Sequence, residues 1–200
     1  VSTGTPAPVS RWVDLGDPLL GPMLDELTAE YLALYGPGAH EEMARHPAEV
    51  FTPPGGGVLA LVADGVAVAA GAFRPRGAPA LGRRDPQTDP PTTDDDDTGP
   101  AAAHGGEVAE IKRMWTSAAH RRRGLARRVL AELEDAAAHA GYSSMYLSTG
   151  WRQGGAVRLY LAAGYHPLFD VDGDPAVPFE RGFSKPLTID DRSAQAPSPG

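Results

Sequence analysis

The strongest constraint on the fold lies in residues 107–163, where strand-type and helix-type patterns alternate twice. Glu107 to Thr116 reads as a strand. Arg122 to Ala140 places Leu125, Val129, Leu130, Leu133, Ala136, Ala137 and Ala140 on one helical stripe, which Gly141 ends. Ser143 to Thr149 reads as a second strand and Gln153 to Ala163 as a second helix, ended by Gly164. Strands and helices that alternate in this way make an α/β domain.

The flanking sequence supplies the remaining elements. Residues 9–15 alternate loosely, as a first strand does. Asp17-Pro18, or Gly21-Pro22 one turn later, starts a helix with proline at its first position. Leu20, Met23, Leu24, Leu27, Tyr31 and Leu34 recur at helical spacing until Gly36-Pro37. A short helix is expected over 39–45. Val58 to Ala63 and Val66 to Phe73 flank Asp64-Gly65, a hairpin signal. Residues 165–171 and 178–185 read as two last strands.

Between the hairpin and the strand at 107, residues 77–106 are mostly Gly, Pro, Thr, Asp and Ala, with four aspartates at 94–97. Such a stretch buries too little apolar surface to offset its ordering entropy, so it is expected to be a disordered insertion. Flexible like charges make a poor metal cage, and no metal is assigned there. The domain therefore spans 9–187, interrupted at 77–106, with a flexible tail over 188–200.

Length, charge and composition narrow the function. Two hundred residues suit one domain. Cysteine is absent, which excludes disulfides, thiolate zinc sites and cysteine nucleophiles. No apolar run reaches the roughly 18–20 residues of a membrane span. Val1 to Ser10 has no signal-peptide pattern, so the expected compartment is the cytoplasm. Arginine far outnumbers lysine and alanine is abundant, as in a GC-rich bacterial genome. The net charge is −8, yet Lys112 to Arg128 holds seven basic residues and no acidic one. An acidic protein with one basic patch is expected to hold a small polyanion there, not nucleic acid.

That patch has a shape. Glu110-Ile-Lys-Arg-Met-Trp-Thr116 leads through Arg121-Arg122-Arg123-Gly124-Leu125-Ala126 into the long helix. Gly124 allows close backbone approach, and the helix start offers unpaired amides and the positive end of its dipole. Together they suit a pyrophosphate. The bland alternative is an exposed, arginine-rich helix start.

Arg121, Gly124 and Ala126 fit the Arg/Gln-x-x-Gly-x-Gly/Ala fingerprint of the GNAT N-acetyltransferase superfamily, which the sequence resembles. Downstream, Gln153, Ala156, Leu159, Tyr160, Gly164 and Tyr165 fill in order the places of that family's second CoA-contacting block. The departures are Ala126 and Gln153, where glycine and asparagine are commoner, and the insertion before the central strand. The resemblance implies a mixed, mostly antiparallel sheet flanked by helices and splayed at the acetyl-CoA site. It implies that backbone groups of Met114, Trp115 and Thr116 meet the pantetheine arm and polarise the thioester carbonyl. Arg121, Arg122, Arg123, Gly124, Leu125 and Ala126 would wrap the pyrophosphate, with Gln153 also on the cofactor. Tyr160 would protonate the leaving thiolate, and Glu110 would take the proton of the amine, often through water.

Each role has a structural alternative. Tyr160 also suits a core aromatic, and Glu110 a cross-strand partner for an arginine. Strand alternation puts Glu110, Lys112, Met114 and Thr116 on one face and Ile111, Arg113 and Trp115 on the other. The six histidines show no metal-ligand spacing, and Trp12, Trp115 and Trp151 suit core or cleft walls. The leading expectation is direct transfer of acetyl from acetyl-CoA to a primary amine of a small molecule. The acidic surface favours a cationic acceptor. Protein N-termini or lysines, a non-catalytic acyl-CoA sensor and a nucleic-acid patch are the alternatives, and homodimerisation is left open.

Overall fold

A computed structural model of the chain describes residues 7–36, 47–77, 107–150, 152–173 and 181–188. The expected helix at 39–45, the insertion beyond Gly77, Trp151, the start of the last strand and the tail beyond 188 lie outside those residues.

Among the described residues, seven strands form one sheet: β1 (Val9–Val13), β2 (Gly57–Ala63), β3 (Val66–Pro75), β4 (Val108–Thr116), β5 (Ser144–Thr149), β6 (His166–Pro167) and β7 (Arg181–Pro186). Their order is β1-β2-β3-β4-β5-β7-β6, with every neighbour antiparallel except β4 and β5. The hairpin at Asp64-Gly65 forms as expected, both residues having positive φ.

Among the described residues, three α-helices cover the sheet: α1 (Gly21–Tyr35), α2 (Leu125–His139) and α3 (Gly154–Ala162). Both proposed starts of the first helix are used. Asp17 caps a 3-10 turn over Pro18–Leu20, and α1 follows with Pro22 in its first turn. α1 lays Leu20, Met23 and Leu27 against Val58, Ala60, Ala70, Ala72 and Trp115. α2 lays Val129, Leu130 and Leu133 on the opposite face, against Leu59, Phe73, Ile111, Met145 and Leu147. Each such leucine or valine contributes about 2 kcal/mol by leaving water. α3 joins the α2 side through Tyr160. Two cations close its C-terminus: Arg127 donates to Ala162 O at 2.9 Å and Lys185 to Ala163 O at 3.0 Å.

Three expectations need correction. α2 begins at Leu125, not 122, because Arg122 (φ 62°) and Gly124 (φ 79°) both adopt left-handed backbone that a helix cannot contain. The strand expected over 165–171 shrinks to His166–Pro167, and the chain then turns at Asp170, whose carboxylate accepts from Asp172 N. The third correction lies in β4. Ala70 pairs with Trp115 but Ala72 with Lys112, so one extra residue is inserted opposite Gly71. Arg113 takes it up with φ 58°.

Candidate active site

The bulge rearranges which side chains share a face. Ala109 and Ile111 belong to the α2 side, and beyond the bulge Met114 packs there too. Met114 fits because Gly71 opposes it: a Cβ on Gly71 would come 2.6 Å from Met114 Sδ. Trp115 belongs to the α1 side, and the Arg113 guanidinium lies over Phe51 on that side, 5.3 Å from the ring centre. Glu110 thus shares its face with Lys112, Arg113 and Trp115, and the simple alternation with Met114 fails.

β4 also parts from β5. The parallel pairing covers only Val108–Ile111 against Ser144–Leu147. From Lys112 onward the β5-facing edge of β4 has left the ladder, so its peptide groups are not committed to β5. Met114, Trp115 and Thr116 all lie on this open arm, which is still held on its other edge by Ala69 and Ala70.

The cradle follows directly. A 3-10 turn over Ala118–His120 leads to Arg121, and α2 starts at Leu125. The first intrahelical bond here is Arg128 N to Gly124 O, at 3.1 Å. The amides of Leu125, Ala126 and Arg127 therefore face the approach to the helix with no helical partner. A Cβ on Gly124 would meet no protein atom within 4 Å, so it would project into the space before these amides.

The basic residues divide into two groups. Arg121 reaches Glu30 of α1 at 3.4 Å and donates to Thr116 O at 3.3 Å, bracing the loop. Arg128 bonds Glu132 and Ser10, and Arg127 caps α3. Arg122 and Arg123 are exposed and make no ion pair or hydrogen bond with any described residue. Gln153 accepts from Thr149 Oγ1 at 2.6 Å through its carbonyl oxygen, which leaves its amide donors at the mouth of α3.

Glu110 is only 2% exposed and Arg74 3%; the two are ion-paired across β3 and β4. Lys112 Nζ lies 2.8 Å from the other Glu110 oxygen. Tyr160, 5% exposed, packs against Phe183 and edge-on against Tyr165. Burial pushes its phenol well above the usual tyrosine range, and Tyr31 of α1 adds to the shift. The hydroxyl therefore stays protonated at every ordinary working pH.

Sequence reasoning missed Arg74, Tyr31 and the turn of Arg113. Arg74 closes an apolar run and gave no sign of its partner. Tyr31 fell on the core stripe of α1, and a bulge leaves no mark in residue types alone. Among the described residues, no group of three His, Cys, Asp or Glu converges as a metal site would require.

A parallel pair that splays beyond a bulge, beside a Gly-turn at a helix start, is a geometry with known counterparts. The Acetyltransferase (GNAT) family model matches residues 22–165. The chain belongs to that family. It is accordingly an acyltransferase. No curated protein sequence matches it. Solved structures share the fold at low identity. A protein described as an acyl-CoA N-acyltransferase from Klebsiella pneumoniae is 20% identical, with TM-score 0.58, over 90% of this chain and 98% of that one. YncA from Salmonella typhimurium, solved with acetyl-CoA, is 16% identical, with TM-score 0.53, over 96% and 98%. An aminoglycoside 6'-N-acetyltransferase solved with coenzyme A is 15% identical, with TM-score 0.53, over 96% and 99%.

The residues present fit the cofactor. The open cradle at Gly124, the three amides and the exposed pair Arg122 and Arg123 suit two linked phosphates.

Proposed function

We propose that this GNAT protein acetylates the primary amine of a small molecule by direct attack. The observation that carries the proposal is the opening between β4 and β5 after Ile111 and Leu147, on a strand that leads within the next residues to the Gly124 turn. When bound, acetyl-CoA supplies an acetyl group activated as a thioester. The open arm of β4 orients the pantetheine arm through the backbone of Met114, Trp115 and Thr116 and polarises the carbonyl. Arg122, Arg123 and the α2 amides hold the phosphates. The chain has no cysteine to carry the acetyl group, in keeping with direct attack.

Two side chains move protons. Tyr160 gives its phenolic proton to the leaving thiolate; the raised pKa keeps the phenol protonated at any working pH, while making it a weaker acid than a free tyrosine. Glu110 receives the ammonium proton through water, because a group this buried does not touch the amine itself. Arg74 and Lys112 fix its carboxylate. One structural relative is an aminoglycoside acetyltransferase, so the fold serves small amines.

The test is an acetyl-CoA consumption screen across small amines, peptide N-termini and lysine peptides. Turnover with a small amine is expected. Turnover confined to peptides, or tight CoA binding with no turnover, would replace this reading with a protein acetyltransferase or an acyl-CoA sensor respectively.

A further inference from the structure

Among the described residues, three acids on or beside β4 are already engaged by the protein. Glu110 pairs with Arg74 and Lys112, Glu26 accepts from Trp115 Nε1 at 3.0 Å, and Glu30 meets Arg121. A cationic acceptor, which the net charge of −8 favours, finds these carboxylates taken. The same face carries cations besides. Arg76 lies 3.8 Å from the centre of the Tyr146 ring, and Tyr146 is the strand partner of Glu110. The bulge then adds Arg113.

Arg113 stands two residues past the last β4–β5 pair, on the open arm and on the α1 side. Its place there depends on the positive φ of the bulge; a regular strand would send it to the other face. The guanidinium is stacked over Phe51, and a guanidinium has its five N–H donors in its own plane, a shape that matches a carboxylate. Burial lowers its pKa, with Tyr31 opposing, so a bound anion restores some of the solvation that burial removes. Arg74, Lys112 and Arg113 each make further contacts within the protein. It is therefore the place and shape of Arg113, not an unmet charge, that select a ligand.

Resting on the N-acetyltransfer reading above, we propose that the acceptor amine also carries a carboxylate, as an amino acid does, and that Arg113 binds that carboxylate. The amine then faces the open edge of β4, and Arg113 sets specificity without taking part in proton transfer.

The experiment compares amino acids with the amines left by their decarboxylation: lysine with cadaverine, phenylalanine with 2-phenylethylamine, alanine with ethylamine. At least one pair should favour the amino acid in kcat/KM by roughly tenfold or more, because a site built for a charged group rejects the analogue lacking it. Arg113→Met, which keeps the stem, should raise KM for the amino acid by about tenfold and leave the decarboxylated partner nearly unchanged; Arg113→Lys should recover part of the loss. Equal or better turnover of the decarboxylated amines, or equal losses on both in Arg113→Met, would overturn the proposal while N-acetyltransfer stands. The wild-type pairs decide this even if the variant fails to fold. No turnover with any amine would overturn both readings.

Discussion

The two faces of the sheet meet at β4 and present it differently. On the α2 side the site is built from backbone: a left-handed glycine, three helical amides and a strand edge that has left its ladder. On the α1 side it is built from side chains: Glu110 and Lys112 ahead of the bulge, and Arg113 and Trp115 brought to their face by it. The first kind of site tolerates sequence change at every position but the turn. The second is disturbed by any substitution that breaks its ion pairs. Substitutions on the two faces should therefore fail in different ways.

The largest effect is expected on the backbone side. Gly124→Asp puts a side chain and a negative charge where the phosphates are proposed to lie, and should reduce CoA binding below detection by calorimetry. The fold should survive, since a Cβ there meets no protein atom and aspartate tolerates left-handed backbone better than most residues, at roughly 1 kcal/mol. Gly141 (φ 98°) closes the far end of the same helix with equal space around it. Gly141→Asp imposes at least as much strain away from the cradle and should keep CoA affinity. If both variants lose binding equally, strain and not the cradle is responsible.

This contrast also explains what could be read in advance. The cradle was legible because its requirements are local: Gly124 for the turn, arginines beside it, and an apolar stripe behind them. The hairpin, the first helix and the strand-helix alternation were legible for the same reason, since each period repeats within a few residues. The α1-side site was not. Its geometry depends on the offset between Ala70–Trp115 and Ala72–Lys112, a property of pairing between strands distant in sequence. Arg74 could be recognised as the partner of Glu110 only once that register was known. The overlong strand at 165–171 failed for a smaller reason: Leu168 N still bonds Gly182 O, but the turn at Asp170 then diverts the chain.

The next effect crosses between the faces. Tyr160→Phe keeps the ring against Phe183 and Tyr165 but removes the proton proposed for the thiolate. Turnover should fall by roughly 10²–10⁴ with CoA affinity little changed. The sign of the pKa shift sharpens this. A phenol raised above its ordinary value near 10 is still protonated there, so the wild-type rate should rise with pH as the amine deprotonates and show no descending limb below about pH 10. A descending limb centred near pH 8 would assign the acid to another group.

The smallest effect on rate, and the one that most directly tests the side-chain face, is expected from Glu110→Gln. Two consequences should separate. Removing the charge leaves Arg74 buried without its carboxylate, which costs about 3 kcal/mol and lowers Tm by roughly 6–12 °C. If Glu110 also receives the ammonium proton, the rate near neutral pH should fall by about 10², the low end for a general base. That loss should shrink as rising pH delivers the amine already neutral, until variant and wild type converge. Measured well below the lowered Tm, a rate deficit independent of pH would leave Glu110 as the ion-pair partner of Arg74 alone. A lowered Tm with a pH-rescued rate would show that one buried carboxylate serves both the strand pairing and the proton.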